Sequence, residues 1–243
     1  MIIAVMQPTF IPWLGYFDMI DKVDLFIYYD DVQLEKRSWQ VRNKLKNTNG
    51  EYWLNVPISK TKSRNETFIN NAKINYNENW IKNKIKSIEF SYKKSPYFEE
   101  VFPFICSIFK EYNLLADFNI NMIENIKDKI GITTKTIRSS KILDINGNKD
   151  NRLVEIIKKL GFKNYLSSPG SINYINRYSK GGAFVKNDIE LYYNNYEHPI
   201  YKQLNNDFIP YLGIFDLLFN EGFNNSLKII VSGRKNNIHY NNI

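Results

Sequence analysis

Apolar residues fall in short β-branched runs that alternate with longer stretches of period three to four, the pattern of an α/β chain. Ile2-Ile-Ala-Val5 has the length and branching of a buried strand, and Met19, Ile20 and Val23 follow at helical spacing. Asp24-Leu-Phe-Ile-Tyr-Tyr29 predicts a second strand and Tyr52-Trp-Leu-Asn-Val-Pro57 a third. The first two strands and their helix make a βαβ unit, which closes right-handed into a parallel sheet. The chain then turns helical over 79–90, 98–112 and 115–130, with Ser95-Pro96 as a break and Gly131 as a stop. Lys135 to Arg138 returns to the sheet, Asn151 to Leu160 is an amphipathic helix stopped by Gly161, and Asn164-Tyr-Leu-Ser167 is a strand. Ile189 to Tyr193 is a late strand, Tyr211 to Asn220 an apolar helix closed by Gly222, and the polar tail 232–243 reads as frayed. No internal repeat and no linker stands out. The expected architecture is one α/β domain over 1–243, with a parallel, Rossmann-like sheet and a helical insertion at about 75–130.

Two polar segments follow strand ends, so both should reach the carboxyl rim of the sheet, where ligands of such folds bind. In the first, Gln7 to Tyr16, Pro8 and Pro12 fix φ while Gly15 permits close backbone approach at a helix start. Gln7, Gly15 and Tyr16 are its candidate ligand residues, since a helix N-terminus favours anions. The second runs from Asp30 to Asn43. Lys36, Arg37 and Arg42 suit phosphate, the arginines by a planar fork and the lysine as a point charge. At spacing five Arg37 and Arg42 do not share a helical face, which predicts an irregular loop; a solvated basic loop is the plainer alternative. Asp30 and Asp31 can bind a ribose hydroxyl, accept a proton from an amine or hold Mg²⁺, or they can simply cap. Gln33, Trp39 and Asn43 complete the rim set; Trp39 and Trp53 can stack on a base or sugar or pack into the core.

Composition narrows the classes. A net charge of +8 invites a nucleic-acid partner, yet the lysines are scattered, as in Trp80-Ile-Lys-Asn-Lys-Ile-Lys-Ser-Ile88, where the isoleucines share one side. An anionic small molecule fits better than dedicated nucleic-acid binding. Hydrophobic residues are 43% and no apolar run approaches a membrane span; Met1 leads straight into Ile-Ile-Ala-Val without a leader pattern, so the cytoplasm is expected. The single cysteine, Cys106, sits in an apolar helix as a small hydrophobe. Of two histidines, His239 lies in the tail and His198 beside Pro199 and Tyr201, where an imidazole can take a proton or serve structure. Gln203 and Asp207 lie near it and can orient hydroxyls. Ser167 and Ser168 suit phosphate or a helix cap.

Ala4-Val-Met-Gln-Pro-Thr-Phe-Ile-Pro-Trp-Leu-Gly-Tyr-Phe17, then Asp30-Asp-Val-Gln33, Lys36-Arg-Ser-Trp39 and Arg42-Asn43, resemble the WbqC-like family of bacterial surface-polysaccharide gene clusters. Arg152-Leu-Val, Tyr165-Leu-Ser, His198-Pro-Ile-Tyr-Lys-Gln203 and Phe208 to Asn220 extend the resemblance over nearly the whole chain, with Gly213 standing where the family is expected to carry serine. A weaker likeness ties Phe10 to Tyr16 to the strand-loop-helix motif of nucleotidyltransferases, in which two histidines hold phosphates; Trp13 and Tyr16 occupy those places. The resemblance implies a transferase that adds an acyl or aminoacyl group to a nucleotide-linked amino sugar. Lys36, Arg37 and Arg42 would bind phosphates, Asp31 or His198 would take the amine proton, and the Gln7 and Gly15 loop would hold the donor or its activating nucleotide. The cofactor stays open: an activated acyl donor or ATP, with aminoacyl-tRNA and Mg²⁺ also compatible. A nucleotidyltransferase acting on a sugar phosphate and a non-catalytic partner of a polysaccharide enzyme are the alternative readings.

Overall fold

A computed structural model describes residues 1–35, 37–60, 67–76, 79–205 and 207–243. β1 (Ile2–Met6), α1 (Leu14–Asp21) and β2 (Leu25–Tyr28) form the first βαβ unit, with Ala4 opposite Phe26 in a parallel pair. Both faces of these strands are covered. Ala4, Phe26 and Tyr28 pack into one core and Ile3, Val5, Leu25 and Ile27 into another. Side chains alternate across a strand, so a continuous apolar run serves two layers at once.

The chain then makes a separate antiparallel hairpin, β3 (Arg42–Asn47) and β4 (Gly50–Asn55). It continues through α2 (Trp80–Tyr92), α3 (Phe98–Ile108) and α4 (Leu115–Lys129) to β5 (Lys135–Arg138). After α5 (Lys149–Lys159) come β6 (Asn164–Ser167), α6 (Ile172–Ile175), α7 (Gly182–Val185) and β7 (Glu190–Tyr193). A long α8 (Phe215–Ser232) and a short β8 (Ile238–His239) close the chain. The main sheet has the order β5-β2-β1-β6-β7-β8, parallel except for β8. This is a Rossmann-like α/β arrangement. Its strand order reverses between β1 and β6, which opens a crevice beyond their carboxyl ends.

Several expectations change in detail. The strand expected at Tyr52 pairs with β3 outside the main sheet, because β3 and β4 face each other across a two-residue turn ending at Gly50, φ +102°. Arg42 and Asn43 therefore sit on a strand and not in an irregular loop. Of the segment read as a helical insertion, α4 is bound to the sheet itself: Glu124 accepts from Tyr28 Oη at 2.6 Å and from Thr136 Oγ1 at 2.7 Å. It serves as the crossover helix between β2 and β5. The late helix starts at Phe215 and continues past Gly222, whose φ of +71° breaks it internally and whose bare Cα admits the ring of Tyr97. The tail is tied down by β8 and by Lys22, whose ammonium donates to Asn194 Oδ1 at 2.7 Å and Asn237 Oδ1 at 3.2 Å. Polarity suggested fraying; tertiary hydrogen bonds outweigh it.

Candidate functional site

The two rim segments meet. Phe10 N–H donates to the Trp39 carbonyl at 2.8 Å, Tyr29 N–H to the Met6 carbonyl at 2.7 Å, and the Gln40 amide to Gln7 Oε1. Buried Asn43 donates to the carbonyls of Phe10 at 3.1 Å and Ile11 at 2.7 Å. Buried Asn119, on α4, donates to those of Pro8 at 3.0 Å and Gln40 at 2.9 Å. A loop containing two prolines cannot satisfy its own carbonyls with a ladder, and these amides replace one. The Tyr16 hydroxyl donates to the Gln7 carbonyl at 3.1 Å, and burial holds its phenol well above the ordinary range, so it remains a donor.

Above this frame lies a cavity of about 310 Å³ lined by Met6, Thr9, Trp13, Tyr16, Trp39, Asn43 and Tyr211. Gly15 shapes one wall. A Cβ there would stand 2.5 Å from Cζ2 and 2.7 Å from Cζ3 of Trp13, so the indole lies across the first turn of α1. Trp39 and Trp53 are 51% and 42% exposed, with ring centroids 5.6 Å apart. The Arg42 guanidinium stacks on Trp53 at 4.2 Å, and the Lys44 ammonium lies 5.3 Å from the same ring. Arg42 Nε is buried without a hydrogen-bond partner among the described residues. Arg37 is exposed at φ +56°, and Gln33 is exposed with its backbone bridged to Phe68. Lys36 lies outside the described residues.

The chain does hold an internal repeat, against expectation. Phe10-Ile-Pro-Trp-Leu-Gly-Tyr-Phe-Asp18 and Phe208-Ile-Pro-Tyr-Leu-Gly-Ile-Phe-Asp216 agree at seven of nine positions. The structure brings the two copies together: Trp13 and Gly213 form an antiparallel bridge, and Ile214 N–H donates to the Pro12 carbonyl at 2.9 Å. Trp13 and Tyr211, equivalent in the repeat, meet edge-on at 5.4 Å and both line the cavity. A Cβ at Gly213 would stand 2.8 Å from the Ile11 carbonyl oxygen, so this chain has no room for serine there. Tyr211, Thr9 and Asn119 were not among the sequence candidates; the repeat marks Tyr211, whereas nothing local marks Asn119.

His198 stands behind that wall, with Trp13 stacked at 6.2 Å and Tyr211 edge-on at 5.1 Å. Its Nδ1 meets the Pro199 carbonyl at 2.9 Å; a carbonyl only accepts, so Nδ1 carries the hydrogen and Nε2 the lone pair in the neutral ring. Nε2 is buried with no partner among the described residues, and burial lowers the imidazole pKa below its ordinary value.

The acidic pair is committed elsewhere. Asp30 is fully buried, accepts from Ser140 N at 3.0 Å and Ser140 Oγ at 2.9 Å, and forms an ion pair with Arg138, whose Nε lies 3.3 Å from its carboxylate, which ties the end of β2 to the segment after β5. Asp31 accepts from Ser139 Oγ and Arg152, each at 2.5 Å. Ser167 Oγ meets Ser171 Oγ at 2.7 Å, while Ser168 offers its carbonyl to Ser171 Oγ. These serines are outside the cavity lining. Gln203 clamps its own loop, donating to the Ile209 carbonyl and accepting from Ile209 N–H, both at 2.9 Å. Cys106 is half-buried, with its thiol pKa pushed up by burial. Among the described residues no three His, Cys, Asp or Glu side chains converge as a metal-ligand set, and no helix is long and apolar enough to cross a membrane.

The fold is a Rossmann-like α/β arrangement whose rim cavity is walled in part by a duplicated aromatic loop. The chain matches the WbqC-like protein family over residues 7–227 and belongs to that family. It is 32% identical over 223 residues to the uncharacterized protein Rv1507c of Mycobacterium tuberculosis, covering 90% of this chain and 94% of that protein. No solved structure matches it.

Proposed function

We propose that this chain is a transferase that adds an acyl or aminoacyl group to the amine of a nucleotide-linked amino sugar, with the sugar in the aromatic cavity. The observation that carries the reading is the cavity of about 310 Å³, walled by Trp13, Tyr16, Trp39 and Tyr211 and continued by the Trp39–Trp53 platform with Arg42 and Lys44. Small-molecule pockets begin at roughly 300 Å³, flat rings suit a sugar or base, and the planar fork of an arginine suits a phosphate. The surface-polysaccharide setting is what the family resemblance implies. Of the two bases considered, both Asp31 oxygens already accept hydrogen bonds, whereas His198 Nε2 keeps an open lone pair. The amine attacks the acyl carbon, the donor's leaving group departs, and Nε2 takes the proton. Nucleotidyl transfer is less well served, because Trp13 and Tyr16 stand where that motif carries imidazoles.

The test combines binding and product analysis. A nucleotide sugar at 100 times its dissociation constant should stabilise the protein by about 2.7 kcal/mol. Trp39→Ala should remove that gain while leaving the unliganded protein folded. Mass spectrometry of a UDP-linked amino sugar incubated with activated acyl donors should show the amide. Absence of stabilisation by every nucleotide sugar would refute the reading; pyrophosphate release from a nucleoside triphosphate and sugar phosphate would replace it with nucleotidyl transfer.

A further inference from the structure

His198 is a partition between two cavities. On one side its ring meets Trp13 and Tyr211, which line the cavity described above; on the other it meets Tyr201 at 6.2 Å and Phe208 at 5.8 Å. Tyr201 and Phe208 line a separate groove of about 580 Å³, whose rim carries the exposed amines of Lys94 and Lys202 and the amides of Gln203 and Asn220. Nε2 is buried among these rings with no hydrogen-bond partner among the described residues. Phe208 and Tyr211 are three residues apart, so one short stretch of chain contributes to the walls of both cavities. Tyr211 holds φ +61°, a left-handed conformation unfavourable for a side chain of its size.

The groove has its own frame. Lys46, only 4% exposed, donates to Gln203 Oε1 and the Asn205 carbonyl, each at 3.3 Å, and to the Asp207 carbonyl. Beneath it, buried Asp216 accepts from Tyr92 at 3.1 Å and from Tyr201 at 2.8 Å. The groove is thus built on a fixed polar base, with an apolar wall toward His198 and cations at its outer rim.

We infer that this groove is the site of the second substrate, an activated acyl donor whose leaving group carries phosphate. This rests on the transferase reading. Lys94 and Lys202 would hold the phosphate, while the acyl end points past Phe208 toward His198. Transfer forms the bond from amine nitrogen to acyl carbon as the bond from that carbon to sulfur or phosphate oxygen breaks. Nε2 takes the amine proton, and the leaving group departs as thiolate or phosphate anion. An acyl thioester of coenzyme A and an acyl adenylate share this chemistry.

The experiment measures binding of coenzyme A, AMP and UDP-glucosamine by calorimetry to wild type, the Lys94→Glu/Lys202→Glu variant and Trp39→Ala. Coenzyme A or AMP should bind wild type and weaken about tenfold or more in the double variant, the size expected for lost charge-assisted contacts, with UDP-glucosamine unchanged. Trp39→Ala should do the reverse. Both substituted lysines are exposed, so folding is preserved and circular dichroism verifies it. The inference fails if neither probe binds wild type or if their binding survives the double variant. If UDP-glucosamine alone fails to bind, the transferase reading fails separately.

Discussion

Gly15→Ala isolates the packing that forms the cleft wall. Gly15 lies in the first turn of α1 without a positive φ, so its backbone accepts alanine, and helix propensity alone favours the change by roughly 0.5–1 kcal/mol. Packing opposes it. The added Cβ would stand 2.5 Å and 2.7 Å from two indole carbons of Trp13, against an ordinary carbon separation of about 3.5–4.0 Å, so the ring must retreat by roughly 1 Å. Overpacking of this kind costs about 1–3 kcal/mol, which leaves a net loss of up to about 2.5 kcal/mol and a Tm lower by up to several degrees for a chain of this size. Denaturant titration gives the stability and calorimetry with a nucleotide sugar gives the occupancy of the cleft. A double-mutant cycle assigns the cause: in a Trp13→Ala background the same substitution should become neutral or favourable. An equal loss in both backgrounds would refute the argument, because the penalty would then not come from the indole.

Burial pushes the Asp216 carboxyl up to about 6 against the pull of Tyr201, Tyr92 and Lys46, so the native state binds the proton more tightly than the unfolded chain. The stability of wild type relative to Asp216→Asn should therefore fall as pH rises from about 4 to about 6, by up to about 3 kcal/mol, and stay level above; urea titrations at several pH values measure it. Asp30→Ala removes a fully buried carboxylate that accepts from Ser139 and Ser140 and pairs with Arg138, and should cost about 3 kcal/mol or more in denaturant titration. With the His198 imidazole pKa lowered, acyl transfer should lose rate only below the ordinary imidazole value and be flat at neutral pH, as a pH profile of kcat/KM would record.

Much of the architecture was legible because it depends on local pattern. The runs Ile2 to Val5 and Asp24 to Tyr29 cannot remain in water, and their unbroken apolar character calls for a sheet covered on both faces. Glycines 131 and 161 sit at φ +90° and +75° where helices stop, a requirement that a single residue type reveals. The meeting of the Gln7 and Asp30 segments followed from both lying just after strands of one parallel unit. Tertiary structure decided the rest. Whether Asp31 faces a ligand or Arg152 depends on α5, a distant part of the chain, and whether Tyr52 joins the main sheet depends on which strand lies beside it.

The roles around the cleft divide the same way. Its aromatic composition was written in the sequence, twice over in the nonapeptides at Phe10 and Phe208, since identical residues at identical spacing need no fold to be seen. That the two copies meet as a bridge, with Asn119 and Asn43 satisfying the proline-rich loop and His198 set between two cavities, arises from contacts between segments 30 to 200 residues apart, roughly, which chain order does not encode. Side-chain chemistry is a property of the residue; its burial, partners and reach belong to the fold.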